Sequence, residues 1–260
     1  MNQAAKQRRR KPRPLVTLDV LGREWLTPHM VRIRLGGEGF AQFEPGGFTD
    51  SYVKLQFAPE GSPPVTRTYT VRQVNHEERW ISLDFVIHGD DGLATNWACN
   101  TEIGDQIGLK GPGGAYRPDP DADWHLFVGD ETALPAIAAA LETLPADATG
   151  SILVEVESPE SEITLDRPDG VNLRWQVKEG TDEEVRLLLA SAVTELDWRP
   201  GRVHVFAHGE RESIKALRDV FFKQLGLERG QVGRALGELH DGLVHLRGDR
   251  DRRRGTVRER

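Results

Sequence analysis

Apolar and polar positions alternate along the first half of the chain. Val31, Ile33 and Leu35 are separated by Arg32 and Arg34, the period of two expected of a half-buried strand. Residues 52–57, YVKLQF, alternate in the same way. Residues 66–74, TRTYTVRQV, and 80–88, WISLDFVIH, are rich in β-branched and aromatic side chains. Turn clusters punctuate these runs at Pro45-Gly46-Gly47, Gly61-Ser62-Pro63-Pro64, Asn75-His76 and Gly111-Pro112-Gly113-Gly114. Residues 15–118 therefore predict a small antiparallel barrel or sandwich, with one helix near Ala94 to Asn100.

The period changes after Pro118-Asp119-Pro120. Short apolar runs at 124–128, 151–156, 171–177 and 202–207 alternate with helical patterns at 134–144, 181–196 and 210–225. Thr181 and Glu184 form a capping-box pair, and Gly226 suits the position after a helix end. Strand–helix–strand order predicts a mostly parallel α/β sheet. The expected organisation is a basic arm at 1–13, a β-barrel domain at 14–118, an α/β domain at 119–228 and an Arg/Gly-rich tail at 229–260. The arm and residues 247–260 carry too few apolar side chains to offset ordering entropy, and both are expected to be disordered.

Composition narrows the function classes. The 260 residues hold 34 Lys plus Arg against 41 Asp plus Glu, a formal charge of −7. That balance argues against general nucleic-acid binding, which needs a basic face. No stretch approaches the ~18 apolar residues of a membrane span. The single cysteine, Cys99, excludes an internal disulfide and a Cys-rich metal site. The basic N-terminus lacks a following apolar region, so it does not read as a secretory signal, and a cytoplasmic protein is expected.

Three segments could carry chemistry. In Arg67-Thr68-Tyr69-Thr70, alternation puts Arg67 and Tyr69 on one strand face and Thr68 and Thr70 on the other. A guanidinium suits phosphate, a phenol ring can stack on a flat heterocycle, and a hydroxyl can bond a ring nitrogen. At His88-Gly89 a strand ends in a turn, and a helix starts with Ala94, Thr95 and Asn96, followed by Trp97. Free N–H groups at such a start attract phosphate. Gly129-Asp130-Glu131-Thr132-Ala133 follows the first α/β strand, where open sheets bind ligands. Asp130 and Glu131 would repel a phosphate lodged there, yet they also suit a helix start. His204 and His208 would lie ~13 Å apart along a strand, too far to share a metal.

Together these pieces resemble the siderophore-interacting protein family, which consists of flavin-dependent ferric-siderophore reductases of the ferredoxin-reductase superfamily. The resemblance is carried by RTYTVR at 67–72, LDFVIHG at 83–89, Ala94-Thr95-Asn96-Trp97, GPGGAY at 111–116, DWHLFVGDETALPAIAAALETLP at 123–145 and GERESIKALR at 209–218. It implies a ferredoxin-reductase-like fold: an antiparallel FAD-binding barrel followed by an α/β domain that admits NAD(P)H. Arg67 would pair with the FAD pyrophosphate beside Thr68. Tyr69 would pack on the isoalloxazine and Thr70 would offer its hydroxyl near N5. His88, Gly89, Ala94, Thr95 and Trp97 would hold the phosphate and adenine side. Asp130, Glu131, Thr132 and Ala133, with Glu210 opposite, would line the nicotinamide pocket. Lys54 would face the anionic ferric siderophore.

The resemblance further implies hydride transfer from NAD(P)H to FAD and single-electron transfer to the ferric chelate, which releases Fe(II) for iron uptake. Alternatives are a general flavin reductase, one that takes electrons from ferredoxin, or a flavin- or siderophore-binding protein without turnover. The chain departs from the family at its end. Family members finish with an aromatic Tyr-Trp-Arg element, whereas no aromatic residue follows Glu228 here. A shifted reading frame in the gene is one account of that ending.

Overall fold

The structure, a computed structural model, describes residues 14–58, 61–87 and 92–233. The expectations for the basic arm, for His88 and Gly89, and for the tail beyond 233 lie outside the described residues.

Six antiparallel strands close into a barrel: β1 (Val16–Thr27), β2 (Met30–Gly36), β3 (Tyr52–Phe57), β4 (Val65–Asn75), β5 (Trp80–Val86) and β6 (Gln106–Gly113). Their order around the barrel is β1-β2-β5-β4-β3-β6. The alternation seen in the sequence becomes the inside and outside of this barrel. Val31, Ile33, Leu35, Val53, Leu55, Ile81, Leu83 and Leu109 are buried in one core. Helix α1 (Leu93–Asn100) contributes Ala94 and Ala98 to the same core. On β2 and β5, Arg32 faces Asp84 in the strand register and forms a two-pronged ion pair at 2.6 and 2.8 Å.

The second half is a parallel sheet of β7 (Trp124–Asp130), β8 (Gly150–Val156), β9 (Val171–Val177) and β10 (Val203–His208). Its order is β10-β7-β8-β9, so the chain reverses direction across the sheet between β7 and β10. Helices α2 (Leu134–Leu141), α3 (Asp182–Thr194) and α4 (Arg211–Asp219) pack on it. The Thr181–Glu184 capping box at the start of α3 is present with both of its hydrogen bonds.

Two boundaries differ from expectation. The helix predicted through Leu225 leaves α-helical winding after Asp219 and continues as a wider turn, with Leu225 N–H bonded to the Val220 carbonyl. The α/β unit also extends past Glu228. Val232 bridges Val205 of β10 in parallel, and Gly233 N–H donates to the Val205 carbonyl at 2.7 Å. The expected tail therefore begins later than 229.

The two halves share a core. Met30 of the barrel is fully buried in a cluster with Tyr116, Phe127, Leu134, Ile137 and Phe206, and Val86 at the end of β5 packs against it. The end of β5 thus abuts the start of α2.

Candidate functional site

Strand β4 supplies the barrel half. Arg67 pairs in register with Leu55 and Tyr69 with Val53, both inward-facing residues, so Arg67 and Tyr69 share the inner side as alternation requires. The Tyr69 ring lies 4.1 Å from Phe85, which covers part of it. Burial pushes its phenol up to about 12, and the nearby Arg67 charge pulls the other way. The phenol is neutral at physiological pH.

Arg67 Nη1 donates to the Thr66 carbonyl at 3.1 Å. Its Nε is buried and has no hydrogen-bond partner among the described residues. An unmet buried guanidinium donor is costly unless a ligand meets it.

Helix α1 follows β5, which pairs with β4 in the barrel. Its N-cap is Gly92, which offers no side-chain hydrogen bond, so among the described residues the first-turn N–H groups have no side-chain acceptor. Ala94 and Thr95 are buried there. Trp97, expected on the phosphate and adenine side, packs its ring against Phe57 at 5.8 Å and Phe85 at 5.6 Å. It helps form the aromatic floor under Tyr69. An orphaned guanidinium donor, an uncapped helix start and an aromatic floor fit a dinucleotide with a flat ring and a pyrophosphate.

Thr68 and Thr70 fall on the other face of β4. Thr68 pairs with Lys54 and Thr70 with Tyr52. Lys54 is exposed and also sits opposite Lys110 of β6, and neither lysine has an ion pair among the described residues. Two cations facing each other across a strand pair repel. The barrel exterior therefore carries a small basic patch on an acidic protein.

The α/β half is built around Gly129, at the end of β7. A Cβ there would lie 2.4 Å from the Ala133 Cβ and 2.4 Å from the His208 carbonyl oxygen, so only glycine lets the turn pack this closely. Asp130 then ties the crevice together. Its Oδ1 accepts from the Thr132 N–H at 2.9 Å and from the Thr132 hydroxyl at 2.5 Å, and its Oδ2 accepts from the Glu210 N–H at 2.8 Å. Glu210 is opposite Asp130, and it caps α4 by accepting from Glu212 and Ser213 N–H.

Two residues expected to line the pocket are turned inward. Ala133 is fully buried beneath Gly129. Glu131 is 2% exposed, and its Oε2 accepts from the Glu157 N–H at 3.2 Å.

The sequence reading missed a charged group at the ends of β8 and β9. Glu155 is 3% exposed, and burial lifts its carboxyl to about 7, against the pull of Lys178 and with the help of Asp130 and Glu210. Lys178 Nζ lies 3.6 Å from Glu155 and 3.3 Å from Glu157. The available signal was a glutamate inside the apolar run SILVEV, where a buried strand has no use for charge.

A cavity of about 950 Å³ lies at the junction of the halves, lined in part by Arg72, Val74, Asp123, His125 and Thr149. It touches none of the predicted residues and sits at the N-terminal ends of the parallel strands. Ligands of such sheets bind at the opposite, carboxyl ends.

Comparison with known proteins covers both halves. A family model described as siderophore-interacting protein matches residues 122–235, and one described as a siderophore-interacting FAD-binding domain matches 19–65 and 58–116. The chain is 45% identical over 230 residues to an uncharacterized protein of Mycobacterium tuberculosis, covering 78% of this chain and 81% of that one. It is 31% identical over 238 residues to the ferric vibriobactin reductase of Vibrio cholerae, covering 83% and 86%. The crystal structure of a siderophore utilization protein from T. fusca superposes with a TM-score of 0.76 at 33% identity, over 85% of this chain and 92% of that one. The ferredoxin-NADP+ reductase of Plasmodium falciparum shares the fold, with a TM-score of 0.65 at 12% identity over 84% and 94%.

Proposed function

The chain belongs to the siderophore-interacting protein family, and from that premise we propose that it is an FAD-dependent oxidoreductase that carries electrons from NAD(P)H to ferric siderophores. The observation that supports the reading is the buried Nε of Arg67, which has no hydrogen-bond partner among the described residues. We read the enzyme as cytoplasmic, where NAD(P)H is available. No helix among the described residues is long and apolar enough to cross a membrane.

Each residue of the site then has a physical task. Arg67 binds the FAD pyrophosphate through charge and a fixed fork of donors, helped by the first N–H groups of α1. Tyr69, held against Phe85, gives the flavin ring a neutral aromatic surface. Thr70 supplies one hydroxyl to the ring edge, and Thr68 stands beside Lys54 on the outer face. Lys54 gathers an anionic ferric complex against the unfavourable field of a −7 protein. At the α/β crevice, Asp130 holds the Thr132 and Glu210 segments at a fixed spacing for the nicotinamide.

FAD held by Arg67 and Tyr69 would supply the redox chemistry that links a two-electron nicotinamide donor to a one-electron ferric acceptor. Fe(II) is the softer ion and is held less tightly by hard oxygen donors, so reduction frees the metal.

The test is an absorption spectrum of the purified protein, followed by NADH or NADPH with and without a ferric siderophore. A flavin spectrum that bleaches with reductant and recovers when the ferric complex is added supports the proposal. Protein that takes up no FAD defeats it.

A further inference from the structure

Resting on that reading, we infer that the donor is NADH and that the protein rejects the 2′-phosphate of NADPH, with Glu157 and the Glu155–Lys178 pair at the ends of β8 and β9 as the discriminating residues. In an open parallel sheet a dinucleotide lies across the carboxyl ends of the strands at the point where strand order reverses. That point is the β7–β10 crevice, where Gly129 and Asp130 form the turn. The adenosine half then extends along the same edge over the ends of β8 and β9.

The two donors differ there by one phosphate. A ribose with free hydroxyls is a hydrogen-bond donor and suits a carboxylate. A 2′-phosphate adds roughly 1.5–2 negative charges and needs an available cation.

Among the described residues the carboxyl edge offers no unpaired cation at β8 and β9, since Arg174 lies mid-strand on β9, three residues before the strand's end. Its lysine, Lys178, stands between two carboxylates, 3.3 Å from Glu157 and 3.6 Å from Glu155. Glu155 and Glu131 lie behind it, 3% and 2% exposed, and each keeps one buried carboxyl oxygen without a partner. Asp130 and Glu210 add negative charge from the crevice itself.

The start of α2 offers no substitute, because Asp130 already takes both the N–H and the hydroxyl of Thr132. Arg211, at the start of α4, follows β10 and lies on the other flank of β7. The pyrophosphate is common to both nucleotides and does not discriminate. The extra phosphate alone meets this acidic edge, while Glu157, 56% exposed and bonded to Lys178 through Oε2, has its other carboxylate oxygen to accept from a ribose hydroxyl.

The test uses FAD-loaded protein. NAD+ and NADP+ are titrated calorimetrically at low ionic strength and at about 0.5 M salt, where charges more than a few ångströms apart are screened. NAD+ should bind at least about tenfold more tightly at low salt, a difference of about 1.4 kcal/mol, and the gap should shrink at high salt. Rapid-mixing reduction should follow the same order for NADH and NADPH.

Glu157→Lys should narrow or invert the gap, with only a small change in melting temperature because the Glu157–Lys178 pair it breaks is largely exposed. NADP+ binding as tightly as NAD+, or a gap unmoved by Glu157→Lys, overturns the inference and leaves the proposed function standing. If neither nucleotide binds nor bleaches the flavin, the pyridine-nucleotide reading falls and this inference falls with it.

Discussion

Replacing Arg67 by Ala separates a cofactor contact from an ordinary strand residue. Among the described residues the guanidinium has one hydrogen bond, to the Thr66 carbonyl, and a buried Nε with none. An unmet buried donor costs roughly 1–3 kcal/mol. Its removal should therefore leave the flavin-free protein no less stable, apart from the packing of the aliphatic stem. The loss falls on the complex instead. A charge-assisted hydrogen bond to phosphate contributes roughly 1.5–3 kcal/mol, so FAD affinity should drop by about ten- to a hundredfold. Fluorescence titration of the flavin-free protein measures that drop, and melting curves with and without FAD measure the stability side. The parent should gain melting temperature on FAD binding, and the Arg67→Ala variant should gain much less. FAD affinity within twofold of the parent, together with a lowered melting temperature of the flavin-free variant, would refute the reasoning and make Arg67 a structural residue.

Other outcomes follow from the same site. Thr70→Val keeps the shape of the side chain and should retain FAD, while slowing flavin reduction by NAD(P)H or shifting the flavin potential; stopped-flow traces and a redox titration read both, and outright loss of flavin would mean that the facing of β4 is misassigned. Lys54→Ala should weaken binding of an anionic ferric siderophore at low salt, with the deficit fading as salt rises, and unchanged low-salt affinity would remove Lys54 from the substrate surface. Glu155 has a carboxyl raised from 4.5 to about 7, so the folded state binds a proton that the unfolded chain releases. Its contribution is therefore present below about pH 4.5 and is lost as pH rises through 7, by at most about 3 kcal/mol. Glu155→Gln should flatten that decline in melting temperature. The comparison is made against the parent, because His125, lowered to about 4 by burial and His204, loses stability in the opposite direction as pH falls from 6.5.

Much of the barrel half was readable because a period of two maps directly onto inside and outside. Val53 and Leu55 are buried where YVKLQF alternates, and their register partners Tyr69 and Arg67 inherit that facing. The Thr181–Glu184 cap was equally local, since both bonds lie within one turn. What could not be read depended on distant partners. Val232 joins the sheet only because Val205 offers an edge 27 residues earlier in the chain. At the widened turn after Asp219, Val220 and Phe221 are buried in the α/β core, and no residue type there announces the change of winding. Glu155, Glu157 and Lys178 sit on separate segments, and their strand register aligns the ends where the charges meet. Asp130 was read as a helix-start residue, which it is, but its second bond to Glu210 N–H spans 80 residues.

Met30 gives this chain a property of its own in the cell. The residue comes from the barrel yet is fully buried among side chains of the α/β half. Neither half can open without exposing part of the other, so the two should melt in one step and share one free energy. FAD bound at Arg67 then protects the distant sheet as much as the barrel, by mass action on a single folding equilibrium. The abundance of the whole protein should follow the cell's supply of flavin, because flavin-starved molecules would reach proteases as unfolded chains rather than as nicked domains.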